Sequence, residues 1–180
     1  MIRNNTFSYG NGAKFLHWLI ALMLIVVFTI GYVMTNISKS SFRLSLYDVH
    51  KATGLLIFTL VILRLVWRFL NVQPDTLRHI PKSQKYLAQA NILLLYILML
   101  ALPLTGFLRS YIGGYPIDFY HLFTLTSSVT NHNISEIFST LHVWVGYIIA
   151  GAFCLHIFAA FYHQFHLRDG LLQQMWFSKT

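Results

Sequence analysis

The chain has 180 residues, of which 56% are hydrophobic and 16% aromatic but only 10% charged, against roughly 25% charged in soluble domains. Its formal charge of +8 does not point to nucleic acid, because the basic residues flank apolar runs instead of gathering on one polar face. A lone cysteine, Cys154, excludes an internal disulfide, a multi-cysteine iron–sulfur site and a Cys-x-x-Cys-His tether for a cofactor.

One membrane crossing needs about 20 apolar residues, and four runs qualify in chain order. The first, about residues 15–34, follows Lys14 as a secretion signal would. It is too long for a signal core and no small-x-small cleavage pattern follows it, so it is expected to be retained. The second, about 50–69, has a clean apolar stretch only from Ala52 to Leu63. Lys51, Arg64 and Arg68 must therefore snorkel outward or find an anionic partner within the fold. The third, about 88–108, carries Pro103 near its end, where a kink is expected. A polar loop, 109–140, is too short for a separate domain. Within it, Asn133 and Glu136 have the spacing of a capping box, predicting a fourth helix that begins near Ile134, outside the lipid. The apolar part of that helix spans about 141–162, and the helix is expected to continue past His163. The fold class is all-α, an integral membrane four-helix bundle built as one domain over residues 1–180, with no internal repeat.

Orientation follows from the basic residues. With the N-terminus in the cytoplasm, Arg3, Lys14, Arg64, Arg68, Arg78, Lys82, Lys85, Arg168 and Lys179 share that side, while Lys39, Arg43, Lys51 and Arg109 lie opposite. This imbalance places both termini inside.

Five of the nine histidines fall in or at the ends of apolar runs: His17, His50, His142, His156 and His163. A lone histidine on an apolar helix is most often a hydrogen-bonded core residue, but these five are arranged. His142 and His156, 14 residues apart on one helix, lie on nearly the same face and about 21 Å apart along the axis. His17 near the inner start of the first helix shares a depth with His156, and His50 at the outer start of the second shares one with His142. Four histidines thus form two pairs, one per leaflet, and two facing imidazoles can clamp an iron porphyrin between helices. The third helix contributes none. Arg64, 14 residues after His50, lies at the depth of the inner pair, either as partner to a haem propionate or as a snorkelling end residue. Lys51 could serve an outer propionate or mark the interface. His163, seven residues beyond His156, could hydrogen-bond a quinone head group or simply mark the interface. His79, His121, His132 and His166 sit in polar surroundings. Trp18, Trp67, Trp144 and Trp176 fit aromatic belts, and Gly31, Gly54, Gly106, Gly146 and Gly151 let bulky groups or neighbouring helices approach, with packing the default reading.

These residues resemble the bacterial cytochrome b561 family of four-helix dihaem membrane proteins. The matching stretches are Leu16-His17-Trp18, then His50-Lys51 with Gly54, Arg64, Trp67 and Arg68, then His142 to His156 with His163, and the similarity in pattern covers nearly the whole chain. The resemblance implies two haem b groups, His17 and His156 holding the inner and His50 and His142 the outer. It further implies a bacterial inner membrane, electron exchange with ubiquinone near His163, and an oxidoreductase of the superoxide oxidase kind. Bis-imidazole ligation predicts outer-sphere electron transfer, with Arg43, Lys51 and Arg109 as charges that steer superoxide. A cytochrome subunit that anchors a soluble dehydrogenase or hydrogenase shares the same plan. A divalent-metal transporter fits less well, because Asp48, Asp75, Asp118, Glu136 and Asp169 all lie outside the apolar runs.

Overall fold

A computed structural model describes residues 1–74 and 81–177; Asp75, Arg78, His79 and Lys179 lie outside the described residues. Four long helices form the bundle: α1 (Asn11–Asn36), α2 (Ser41–Leu70), α3 (Lys82–Ile112) and α4 (His132–Phe161). Each is long and apolar enough to cross a bilayer. A hairpin of β1 (Ile117–Phe119) and β2 (Phe123–Leu125) lies between α3 and α4, and a π-helical segment (Tyr162–Leu167) leads to the short α5 (Leu171–Met175).

The helices begin where backbone N–H groups find acceptors. Ser40 Oγ accepts from Arg43 N at 3.1 Å at the start of α2. At α4 the cap is Asn131, whose Oδ1 accepts from Ile134 N at 3.1 Å. The expected Asn133–Glu136 box is therefore displaced by two residues, and α4 starts at His132, nine residues before the apolar run. The N-terminal arm caps α1 in another way: Asn11 N and Gly12 N donate to the carbonyls of Met1 and Ile2 at 3.0 and 3.2 Å. A Cβ at Gly10 would lie 2.2 Å from the Ile2 carbonyl oxygen, so only glycine lets the arm fold back this closely. α3 runs through Pro103 without interruption, and the missing proline N–H removes one rung of its ladder.

Midway along the bundle, Ile20, Leu24 and Val27 of α1 pack on Ile57 and Val61 of α2. A second cluster joins Leu95 and Leu98 of α3 to Ile149 and Ala152 of α4. Phe28 and Met99 touch both. Large apolar side chains such as Leu22, Ile62, Leu93 and Phe158 face outward, as a lipid-facing surface requires. Closest packing is between α3 and α4, α1 and α2, and α2 and α3; α4 does not pack closely on α1 or α2.

The two ends of the bundle differ. At the end bearing the termini, Lys14 Nζ donates to the Trp176 carbonyl at 3.0 Å and Trp18 Nε1 to the Met175 carbonyl at 2.8 Å, which fastens α5 onto α1. Asn4 Nδ2 reaches the Val72 carbonyl at 3.0 Å. At the other end the predicted irregular loop shrinks to residues 113–131 and contains the hairpin. Its turn residues Tyr120 and His121 are both left-handed, with φ of 50° and 61°, a conformation usually left to Gly, Asn or Asp.

Candidate functional site

Two imidazole pairs cross the space between α4 and the α1–α2 layer. The rings of His17 on α1 and His156 on α4 are 6.3 Å apart, centre to centre, with planes at 67°. Those of His50 on α2 and His142 on α4 are 6.2 Å apart at 82°. The two pairs are those expected from depth along the helices.

Their separation tests whether an iron could lie between them. A transition metal takes an imidazole nitrogen at about 2 Å and the ring centre lies about 1.1 Å behind it, so two rings in line on one ion sit ~6.3 Å apart. Both pairs meet this distance. Among the described residues no cluster of three or more His, Cys, Asp or Glu could hold a metal ion, so neither pair forms the closed set of four ligands that a structural zinc requires. Two axial imidazoles suit a metal whose four equatorial ligands arrive with it. α4 does not pack closely on α1 or α2, and the two imidazole pairs bridge that interval.

Further contacts orient the rings. His142 Nδ1 lies 2.9 Å from the Leu102 carbonyl and 3.2 Å from Thr105 Oγ1, both on α3. The carbonyl can only accept, so Nδ1 carries the proton and Nε2 keeps its lone pair for a metal. His50 Nδ1 is buried without a hydrogen bond of normal geometry, with the Val27 carbonyl of α1 acting on it electrostatically. Two glycines make room for these rings. A Cβ at Gly106 would lie 2.9 Å from His142 Cε1, and one at Gly31 would lie 3.1 Å from His50 Cε1. At both positions the small residue admits an imidazole ring from another helix, not only a close helix–helix approach.

Charges cluster at each pair. Arg64 acts on both His17 and His156, and Arg109 on both His50 and His142. Arg64 Nε donates to Tyr96 Oη on α3 at 3.0 Å, while its Nη1 is buried and finds no hydrogen-bond partner among the described residues. A buried guanidinium N–H without an acceptor fits a site made for an anionic group such as a haem propionate. Lys51 Nζ donates to Asp48 Oδ1 at 2.9 Å and to the Pro116 carbonyl at 2.5 Å. It fastens the hairpin to α2, as does the 2.8 Å contact between Thr53 Oγ1 and Tyr120 Oη.

His163 is buried in the π-helical segment, not on a continued α-helix, so the spacing of seven from His156 no longer fixes its face. Its Nδ1 lies 2.5 Å from Asp169 Oδ2, a partner that no helical spacing pairs with it. π-turns of this kind are frequent at functional sites. His121 is exposed and bonds Asp118 at 2.7 Å, and His166 is exposed and stacks on Tyr162 at 4.9 Å.

The sequence profile described as prokaryotic cytochrome b561 matches residues 8–178. Cytochrome b561 homolog 2 of Escherichia coli K12 is 26% identical over 174 residues, covering 96% of this chain and 93% of that one. Cytochrome b561 homolog 1 of the same organism is 27% identical, covering 89% and 92%. A protein of Yersinia pestis named probable superoxide oxidase is 22% identical, covering 89% and 90%.

Proposed function

This chain belongs to the prokaryotic cytochrome b561 family, and from that premise we propose that it is a dihaem cytochrome conducting electrons between an outer donor and ubiquinone. Family membership makes it a membrane b-type cytochrome; the haem number and the redox partners are the proposal. The observation that carries it is the pair of imidazole couples at 6.3 and 6.2 Å, each at the separation of two axial ligands sharing one iron.

His17 and His156 would hold one haem at the end bearing the termini, and His50 and His142 the other. Arg64 would meet a propionate of the first. Bound there, haem supplies a reversible one-electron iron couple. With a histidine pair holding each haem, no axial position would remain for oxygen to ligate, and exchange with the outer donor would be outer-sphere. The apolar walls and the charges of Arg64 and Arg109 favour the reduced, less positive centre.

Superoxide is the proposed donor, supported by the name of the Yersinia relative and by Arg43, Lys51 and Arg109 at the end opposite the termini, where cations steer an anion. Two superoxide anions release two electrons and leave two molecules of dioxygen; one ubiquinone takes those electrons with two protons and becomes the quinol. His163, its Nδ1 held by Asp169, would use Nε2 to meet a quinone oxygen. The excess of Arg and Lys at the end bearing the termini supports placing both in the cytoplasm of a bacterial inner membrane.

The test is a reduced-minus-oxidised spectrum with a haem-to-protein ratio. Two haems per chain are expected, with His142→Ala removing only the outer component and His156→Ala only the inner. Loss of both or of neither in either variant, or a colourless wild-type protein from haem-replete cells, refutes the assignment.

A further inference from the structure

The cleft at the end bearing the termini is lined by Arg64, Trp67, Arg68 and Tyr96 together with uncharged residues. Two donors in it are buried and have no hydrogen-bond partner among the described residues: Arg64 Nη1 and Trp67 Nε1. Guanidinium and indole N–H groups donate and cannot accept, so neither can satisfy the other. A buried donor left unpaired costs the full desolvation of that group. No acidic side chain lines the cleft among the described residues, although two arginines do. The missing complement is therefore an acceptor, and the two arginines make an anionic one such as a carboxylate the best match.

Tyr96 organises these donors from α3, the helix without a histidine ligand. Its hydroxyl accepts from Arg64 Nε at 3.0 Å, which fixes the plane of the guanidinium, and the Arg68 guanidinium carbon stands 5.9 Å from its ring centre. Arg64 is also the cation acting on both His17 and His156, and Trp67 lines the same cleft as Arg64.

We propose that Arg64 Nη1 and Trp67 Nε1 together form the carboxylate site for a propionate of the inner haem, and that Tyr96 is the positioning residue that holds Arg64 in it. The inference rests on the inner haem assigned above. A neutralised propionate ceases to favour the ferric iron, so the site raises the midpoint potential of that haem.

Potentiometric titration of the purified holoprotein, followed optically with haem content measured in parallel, tests this. Arg64→Gln is expected to shift the inner haem's reduced-to-oxidised ratio about tenfold toward the oxidised form at fixed potential, ~59 mV for a one-electron couple. Trp67→Phe and Tyr96→Phe, which keep bulk and ring, are expected to give smaller shifts in the same direction and to leave the outer couple in place. The Tyr96→Phe shift vanishes on an Arg64→Gln background, because the tyrosine acts through the arginine. Asp75→Asn leaves the inner couple unchanged. An inner couple that stays at its wild-type potential in Trp67→Phe and Tyr96→Phe overturns the site, as does an Asp75→Asn variant that reproduces the shift. Absence from the wild type of any couple that His156→Ala removes overturns instead the haem assignment beneath it.

Discussion

Gly106→Ala adds a single methyl group on α3, and the geometry states where it goes. The new Cβ would stand 2.9 Å from Cε1 and 3.1 Å from Nδ1 of His142, inside the 3.4–4 Å of ordinary contact. Restoring contact distance moves the ring by about half an ångström. The ring is not free to move, because Nδ1 is held 2.9 Å from the Leu102 carbonyl on the same helix that carries the methyl. A displacement of that size stretches the bond toward ~3.4 Å, beyond the usual range, and forfeits most of a hydrogen bond worth about 0.5–1.5 kcal/mol. It also releases the ring orientation, and loss of such orienting partners typically weakens metal binding roughly 10- to 100-fold. The expected outcome is outer-haem affinity reduced within that range while the inner haem stays at wild-type occupancy. Haem-to-protein ratio after dilution into apomyoglobin, read alongside the optical spectrum, measures it. Gly151→Ala, whose Cβ meets nothing within 4 Å, controls for the roughly 1 kcal/mol helix preference of alanine over glycine. A Gly106→Ala protein that retains both haems as tightly as wild type refutes the argument that this glycine seats His142.

Two further outcomes follow from contacts outside the imidazole pairs. Asp169→Asn removes the charge from the 2.5 Å contact with His163 Nδ1; bonds to charged groups are worth about 1.5–3 kcal/mol, so ubiquinone reduction should slow about tenfold with both haems retained, and an unchanged rate in a stopped-flow quinone assay removes His163 from the quinone site. Tyr120→Phe deletes the hydroxyl that meets Thr53 at 2.8 Å and should destabilise hairpin docking by about 1 kcal/mol, seen as faster proteolysis within 113–131 in membranes; unaltered cleavage would mean that the Lys51 contacts alone secure the hairpin.

The four helices and the imidazole pairs were legible because both depend on helical repeat alone. A spacing of 14 returns to nearly the same face whatever surrounds the helix, and apolar length sets depth in a bilayer. What sequence could not supply depends on how helices are rotated against one another. Nothing local couples Tyr96 to Arg64 across 32 residues or Leu102 to His142 across 40. Gly31 and Gly106 were visible as small residues that admit a bulky group or a neighbouring helix, but nothing in their spacing says that the group is the ring of His50 or His142. The hairpin escaped notice because its turn places Tyr120 and His121 in the left-handed region, without the Asn-Gly or Asp-Gly pair that announces such turns. The π-helical segment likewise left no periodic trace, and with it the His163–Asp169 contact stayed hidden. The cap of α4 was misplaced by two residues because Asn131 and Asn133 both suit the role, and only the backbone path selects the first.

The packing scheme explains why each histidine substitution should act locally. α4 owes its position to α3, through Leu95, Leu98, Ile149 and Ala152, and α1 owes its position to α2 through the other cluster. α2 and α3 pack closely, and Met99 and Phe28 belong to both clusters, so the two layers are joined by apolar contact that no ligand supplies. The spacing of α4 from the α1–α2 layer is therefore set by apolar packing, and the imidazole pairs bridge it from helices held in place independently of them. Preorganisation of this kind lowers the ordering cost of binding. It also means that emptying one pair leaves the helices carrying the other where they were. A bundle held open only by its cofactors would behave oppositely, with His142→Ala loosening the inner pair as well. The helix that contributes no ligand is thus the one on which both sites depend: α3 fixes α4, orients His142 through Leu102 and Thr105, and presents Tyr96 to Arg64 at the other end.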